Sequence, residues 1–246
     1  MRPNCTILLC TLLLAILLEN EHKTKFAVVT GAGKGIGCAI AKTLAQKGYT
    51  IIACARTLED LQLLQAEIPG ILVFTADLAT TEGVGALIVF VAAQCGVPDV
   101  IVNNVGKYTM DTMLTTNAKV FDELMQVNYW AGYRLTMPFL KAMAERGSGH
   151  IFTICSVASI EPKENASSYS ITKHAQLGFS RNLAADLKAT GVKVTAILPA
   201  NVDTPSWDGF EGDRSTFLKP EDIANVVLEQ LERGESGEIL IRDKAE

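Results

Sequence analysis

The chain has 246 residues, 48 % of them apolar, which is enough for one large α/β domain with a sizeable core. A balance of 22 Lys+Arg against 27 Asp+Glu gives a net charge of −5, and no basic stripe with interleaved aromatics occurs, so a nucleic-acid partner is excluded. The six cysteines lack Cys-x-x-Cys spacing and the three histidines are scattered, which excludes a metal site and points to buried free thiols in a reducing compartment.

Residues 1–24 form an apolar extension ahead of a domain spanning 25–246. Arg2 precedes the uncharged, mostly aliphatic run Cys5 to Leu18, which is followed by Glu19-Asn20-Glu21. The run is shorter than the ~20 residues of a spanning helix but suits a signal-peptide core. No small-x-small cleavage site follows it. An uncleaved anchor, a signal sequence, an apolar segment packed on the protein and a mispredicted start all fit. A cytoplasmic catalytic domain is favoured, and membrane attachment through residues 5–18 is not.

Phe26-Ala27-Val28-Val29-Thr30 is a short β-type run. It leads into Gly31-Ala32-Gly33-Lys34-Gly35-Ile36-Gly37, after which Ile36, Ile40, Ala41, Leu44 and Ala45 recur at helical spacing over 35–47. Strand, glycine turn and helix in this order make a phosphate site. Glycine lets the backbone approach a ligand, and the helix N-terminus offers free N–H groups. A plain tight βα connection has the same appearance. The next strand, 50–55, runs into Arg56, where a nucleotide-binding βαβ unit faces the adenosine ribose. No acid stands between Tyr49 and Leu58 to hold a 2′-hydroxyl. Arg56 and Lys34 instead suit a 2′-phosphate, so NADP(H) is expected over NAD(H).

Further strand runs lie near 71–75, 99–103, 149–155, 192–198 and 237–242, and helical patterns near 58–67, 81–95, 117–146, 167–190 and 220–233. Lys219-Pro220-Glu221-Asp222 reads as a helix start. The alternation predicts a doubly wound α/β domain, a parallel sheet of about seven strands with helices on both faces. On the helix over 167–190, Tyr169 and Lys173 are four residues apart and share a face. A cation beside a phenol lowers its pKa, and a drop of about 3 units needs roughly 4 kcal/mol. The spacing therefore predicts a tyrosine able to exchange a proton near neutral pH.

These pieces together resemble the classical short-chain dehydrogenase/reductase family. Thr30 to Gly37 is similar to its Thr-Gly-x-x-x-Gly-x-Gly turn, and Asn103-Asn104-Val105-Gly106 to its Asn-Asn-Ala-Gly motif. Asp77-Leu78 sits where the family contacts adenine. Asn128, Ser156, Tyr169 and Lys173 match its catalytic tetrad. Pro199-Ala200-Asn201-Val202-Asp203-Thr204 resembles the Pro-Gly-x-x-x-Thr segment beside the nicotinamide, with Ala in place of Gly. Within the family, Gly149 to Ile154 and Thr204 to Trp207 are vaguely similar to bacterial sepiapterin reductases. Much the same framework occurs in 3-oxoacyl-carrier-protein reductases.

The resemblance implies a Rossmann-type fold, hydride transfer between NADP(H) and a small-to-medium carbonyl or alcohol, and a homodimer or homotetramer. It implies that Ser156 holds the carbonyl oxygen, Tyr169 is general acid and base, Lys173 holds the ribose, and Asn128 keeps a water beside Lys173. Cofactor contacts are implied for Gly31, Lys34, Gly35, Ile36, Gly37, Arg56, Asp77, Leu78, Asn104, Gly106, Tyr169, Lys173, Pro199, Val202 and Thr204. Two loops are expected to shape the substrate pocket, Lys107 to Asn117 with Tyr108, and Pro205 to Leu218 with Trp207 and Phe210. A non-catalytic NADP-binding redox sensor on the same fold is the alternative reading.

Overall fold

The computed structural model describes residues 24–209 and 211–243. The N-terminal run 5–18 and Phe210 lie outside these residues. Among the described residues no helix is long and apolar enough to cross a membrane.

Seven strands form one parallel sheet: β1 (Lys25–Thr30), β2 (Tyr49–Ala55), β3 (Leu72–Thr75), β4 (Val100–Asn103), β5 (His150–Ile154), β6 (Lys193–Pro199) and β7 (Gly237–Ile241). Their spatial order is β3-β2-β1-β4-β5-β6-β7. The helices are α1 (Gly35–Gln46), α2 (Leu58–Glu67), α3 (Thr81–Cys95), α4 (Ala118–Met125), α5 (Ala131–Arg146), α6 (Ser167–Asp186) and α7 (Pro220–Arg233). The expected seven-stranded, doubly wound architecture is what the chain adopts.

Alternation along the strands divides the core between the two faces. Ala27 and Val29 of β1, with Ile51 and Ala53 of β2, pack with Ile40 and Leu44 of α1 and Val227 of α7. Val28 and Ile52 point the other way, against Leu87 of α3, Leu135 of α5 and Leu183 of α6. With both faces covered, the strands are continuous apolar runs rather than alternating ones.

One expected element is corrected. The helix over 117–146 is not continuous: a π-helical segment, Gln126–Trp130, separates α4 from α5. The reason is tertiary. Asn128 sits in that segment and its amide bonds both backbone groups of Lys107 and the hydroxyl of Thr172. A π-bulge re-aims one side chain at the cost of helix regularity. The helix expected over 167–190 ends at Asp186.

The four described cysteines are free. Burial pushes the Cys54 thiol up to about 12 and the Cys155 thiol up to about 11, so both are inert near neutral pH.

His150, at the start of β5, is stacked on Phe152 with ring centroids 4.0 Å apart. Its Nε2 lies 2.8 Å from Thr195 Oγ1, and that hydroxyl donates to Glu235 O. The hydroxyl proton is therefore spent, and Nε2–H must be the donor of a neutral ring. Burial, aided by the Lys193 charge, lowers the His150 pKa from 6.5 to about 4. The stability this contributes is complete above pH 6.5 and is lost as pH falls towards 4, because the unfolded chain binds the extra proton first. The loss approaches roughly 3 kcal/mol. Urea denaturation in acid should show a shallower pH slope for His150→Gln, by up to ~1.4 kcal/mol per pH unit. Parallel slopes would mean that other groups govern acid lability.

Candidate active site

The strand order reverses direction between β1 and β4, and in open α/β sheets ligands bind beyond the carboxyl ends of the strands at such a point. The two strand ends are locked together there. Thr30 Oγ1 donates to Val102 O at 3.1 Å and accepts from Asn104 N at 3.0 Å and Val105 N at 3.1 Å. Asn104 Nδ2 donates to Thr30 O at 2.8 Å and Gly31 O at 3.2 Å. Asn104 thus shapes the glycine turn.

Gly31 and Gly35 take positive φ, +65° and +54°. Gly37 is required for a different reason: a Cβ there would stand 2.3 Å from Gly31 O and 2.5 Å from Asn104 Nδ2. The turn delivers the chain into α1, whose N-terminus has no side-chain cap and no acid in its first turn. Its leading N–H groups are available and its dipole is uncompensated, an arrangement that fits a pyrophosphate. Ile36 packs against the core beside α1. Thr204 closes the turn from the other side, its methyl 3.0 Å from where a Gly35 Cβ would lie. Pro199 ends β6, and Val202 is bridged to Leu218.

At the carboxyl end of β2, Arg56 is exposed and makes no ion pair among the described residues. The Lys34 ammonium is 3.2 Å from Asp60, an acid just beyond the stretch read for acids. Leu78 is buried with Val84 and Leu87. Asp77 is exposed and accepts from Ala79 N at 3.0 Å.

The matched tetrad converges past the carboxyl ends of β4 and β5. Ser156 caps a short 3₁₀ turn, Val157–Ser159, and its Oγ accepts from Ala158 N at 3.1 Å. Its Oγ–H is left to donate, and donation towards the Tyr169 phenol acts to lower the phenol's pKa. Lys173 is buried, donating to Ile154 O and Gln176 Oε1, both at 2.9 Å. Its Nζ lies 5.7 Å from the Tyr169 ring centroid. Asn128 Oδ1 accepts from Lys107 N at 2.7 Å, and Nδ2 donates to Lys107 O at 3.0 Å and Thr172 Oγ1 at 2.9 Å. Gly106 sits between the two groups: a Cβ on it would lie 3.5 Å from Asn128 Oδ1 and 3.8 Å from Lys173 Nζ.

The expected direction of the Tyr169 pKa is overturned for the protein alone. Burial raises it from 10.0 to about 12, against a smaller lowering by the Ser156 hydrogen bond. Burial also lowers Lys173 from 10.5 to about 8. The amine is turned onto Ile154 O and Gln176, so desolvation outweighs the attraction that helical spacing suggests.

Above these groups the two loops meet. Tyr108 lies edge-on to Tyr169 at 5.1 Å and nearly parallel to Trp207 at 6.3 Å, while Trp207 contacts Phe217 at 4.9 Å. Asp111 pins the first loop, accepting from Ser168 N at the start of α6 at 3.0 Å. Lys163, Gln176 and Asp60, which touch Tyr108 and Trp207, Lys173 and Lys34 respectively, were not foreseen. Only Gln176 carried a local signal, one helical turn beyond Lys173. The open cleft bounded by Lys42, Tyr49 and Glu67 lies at the amino ends of the strands, away from this set.

A parallel sheet with a glycine turn at its reversal point defines a nucleotide-binding, doubly wound α/β protein. The family model described as short chain dehydrogenase matches residues 25–214. An uncharacterised oxidoreductase of Staphylococcus epidermidis is 33% identical over 208 residues, 84% of this chain and 90% of that one. A solved single-substitution variant of actinorhodin polyketide ketoreductase with NADPH superposes with a TM-score of 0.81 at 28% identity, covering 89% of this chain and 95% of that one. An alcohol dehydrogenase from the archaeon Thermococcus sibiricus, complexed with 5-hydroxy-NADP, also gives 0.81 at 28% identity, covering 89% and 96%. The chain belongs to the short-chain dehydrogenase family and is an oxidoreductase using a nicotinamide dinucleotide.

Proposed function

We propose that this oxidoreductase uses NADPH to reduce the carbonyl group of a small-to-medium organic substrate, or runs the reverse alcohol oxidation, with Tyr169 exchanging the proton. The observation that carries this reading is the convergence of Ser156, Tyr169 and the buried Lys173 amine past the ends of β4 and β5, with Lys173 Nζ 5.7 Å from the Tyr169 ring centroid. When bound, the dinucleotide supplies the hydride to the carbonyl carbon. With substrate bound, Ser156 donates its hydroxyl proton in a hydrogen bond to the carbonyl oxygen and fixes its position. Tyr169 transfers its proton to that oxygen as negative charge develops, which leaves a neutral alcohol. Lys173 uses two of its three N–H donors on Ile154 O and Gln176, and the third suits ribose hydroxyls. The Asn128 amide holds the Gly106–Lys107 backbone in place, and the second lone pair of its Oδ1 is left for a water serving Lys173.

The ketoreductase and alcohol dehydrogenase neighbours, with NADPH and 5-hydroxy-NADP bound, support the reaction class and the cofactor. An assay following NADPH absorbance with small ketones, diketones, sepiapterin and 3-oxoacyl thioesters tests the reading. Tight NADPH binding with no turnover of any of them would favour the redox-sensor alternative.

The preference for NADPH rests on Arg56, with Lys34 committed to Asp60. Arg56→Asp should lower kcat/KM for NADPH relative to NADH. A charged hydrogen bond contributes about 1.5–3 kcal/mol, or roughly 10- to 150-fold. An unchanged ratio would place the 2′-phosphate elsewhere. We also infer assembly as a homodimer or homotetramer. The half-buried aromatic group Tyr129, Trp130, Tyr133 and Phe179 supports a contact between copies.

A further inference from the structure

Lys163 lies on the connection between Ser156 and Tyr169, and its backbone is fixed against α6 because its N–H donates to Ser170 Oγ at 3.0 Å. Its side chain is half-buried and turns into the aromatic rim over Tyr169. The ammonium is 5.6 Å from the Tyr108 ring centroid and 5.1 Å from that of Trp207. It has one hydrogen-bond acceptor among the described residues, Asn201 Oδ1 at 3.1 Å.

The surrounding charges are already committed. Asp243 accepts from Asn201 N at 2.9 Å and Nδ2 at 3.0 Å, so it orients the amide towards Lys163 without pairing with the lysine itself. Glu161 is taken by Arg242 at 3.4 Å and Asp203 by Arg214 at 2.9 Å. Among the described residues no carboxylate makes an ion pair with Lys163. The half-buried ammonium has two N–H donors without acceptors among the described residues and can take a further partner. Ring faces attract the ammonium as well. Burial lowers the Lys163 pKa, against a smaller opposing effect of the Asp243 charge.

We propose that Lys163 anchors an anionic end of the substrate, a single carboxylate, so that the preferred substrates are oxo acids and their hydroxy-acid partners. The carboxylate accepts from the Lys163 ammonium between Tyr108 and Trp207, while the carbonyl group reaches Ser156 and Tyr169. A monoanion fits better than a phosphate dianion. The rim supplies one positive charge, bordered by the Asp243 carboxylate and two ring faces, which would leave a second negative charge uncompensated. This inference rests on the carbonyl-reductase reading and goes beyond it by naming what lies at the far end of the substrate.

The test uses unbranched oxo acids of increasing length, each beside its methyl ester, with the NADPH-loaded full chain. The acid should exceed its ester in kcat/KM by on the order of 10- to 100-fold at the matching length, through KM. Lys163→Met should collapse that ratio towards one, and Lys163→Arg should restore part of it. Calorimetric titration of the NADP⁺-loaded protein with hexanoate gives a readout independent of turnover, with binding weakened by Lys163→Met. Neutral ketones reduced well, with acid and ester equal in the unmodified enzyme, would overturn the anchor and leave the reductase reading standing. Lys163-dependent hexanoate binding without turnover of any carbonyl compound would do the reverse.

Discussion

Tyr169→Phe is expected to lower kcat by on the order of 10³-fold, within the ~10²–10⁴ range of a positioned proton donor, and to leave NADPH affinity nearly unchanged. The argument starts from what the hydroxyl touches. The ring is anchored by packing against Tyr108, edge-on at 5.1 Å, and the Ser156 hydroxyl acts on the phenol to lower its pKa. Phenylalanine keeps the ring and removes only the proton that neutralises the alkoxide. Water is a poor replacement, because this phenol is desolvated enough for its pKa to rise to about 12. Lys173 and the glycine turn are untouched by the substitution, and Ser156 loses only its phenol partner, so the cofactor site stays assembled. Steady-state kinetics with fluorescence titration of NADPH separates the two effects. Preserved turnover would remove Tyr169 as the proton donor.

Gly37→Val is expected to abolish dinucleotide binding and to destabilise the fold. The added side chain would meet Gly31 O and Asn104 Nδ2 at distances no real Cβ adopts. Neither neighbour can yield cheaply. Gly31 O is backbone held at positive φ, and Asn104 Nδ2 ties Thr30 and Gly31 to β4. The N-terminus of α1 must move off the turn, taking its free N–H groups with it. Overpacking of this kind costs about 1–3 kcal/mol or more. Gly85→Ala is the control. It lies in α3 with nothing within 4 Å of its Cβ position, so removing a helical glycine should stabilise by roughly 0.5–1 kcal/mol. Thermal melts of the two variants should move in opposite directions.

Much of the architecture was legible because local signals agreed with one another. Proline and two acids mark the start of α7 at Pro220, and apolar runs flanked by turns mark all seven strands to within a residue or two. The π-helical break at Gln126–Trp130 was not legible, since no proline or glycine marks it. It exists because Asn128 bonds Lys107 and Thr172, which are distant in sequence. Spacing put Tyr169 and Lys173 on one face, but not where the amine would turn. That depends on Ile154 O, brought up by β5. Lys163 was invisible for the same reason, since its partners come from two other connections, Tyr108 after β4 and both Asn201 and Trp207 after β6. Asp60 fell outside the stretch read for acids, and helix α2 returns it to Lys34.

The central claim is that Tyr169 is the group that exchanges the proton, which near neutral pH demands a phenol more acidic than the protein alone makes it. Ultraviolet difference titration of the native chain against Tyr169→Phe, with and without NADP⁺, from neutral pH to about pH 10.5, tests this most directly. The account predicts one tyrosinate signal that appears in this range only with NADP⁺ present and only in the native chain. Identical titrations with and without the dinucleotide would contradict it.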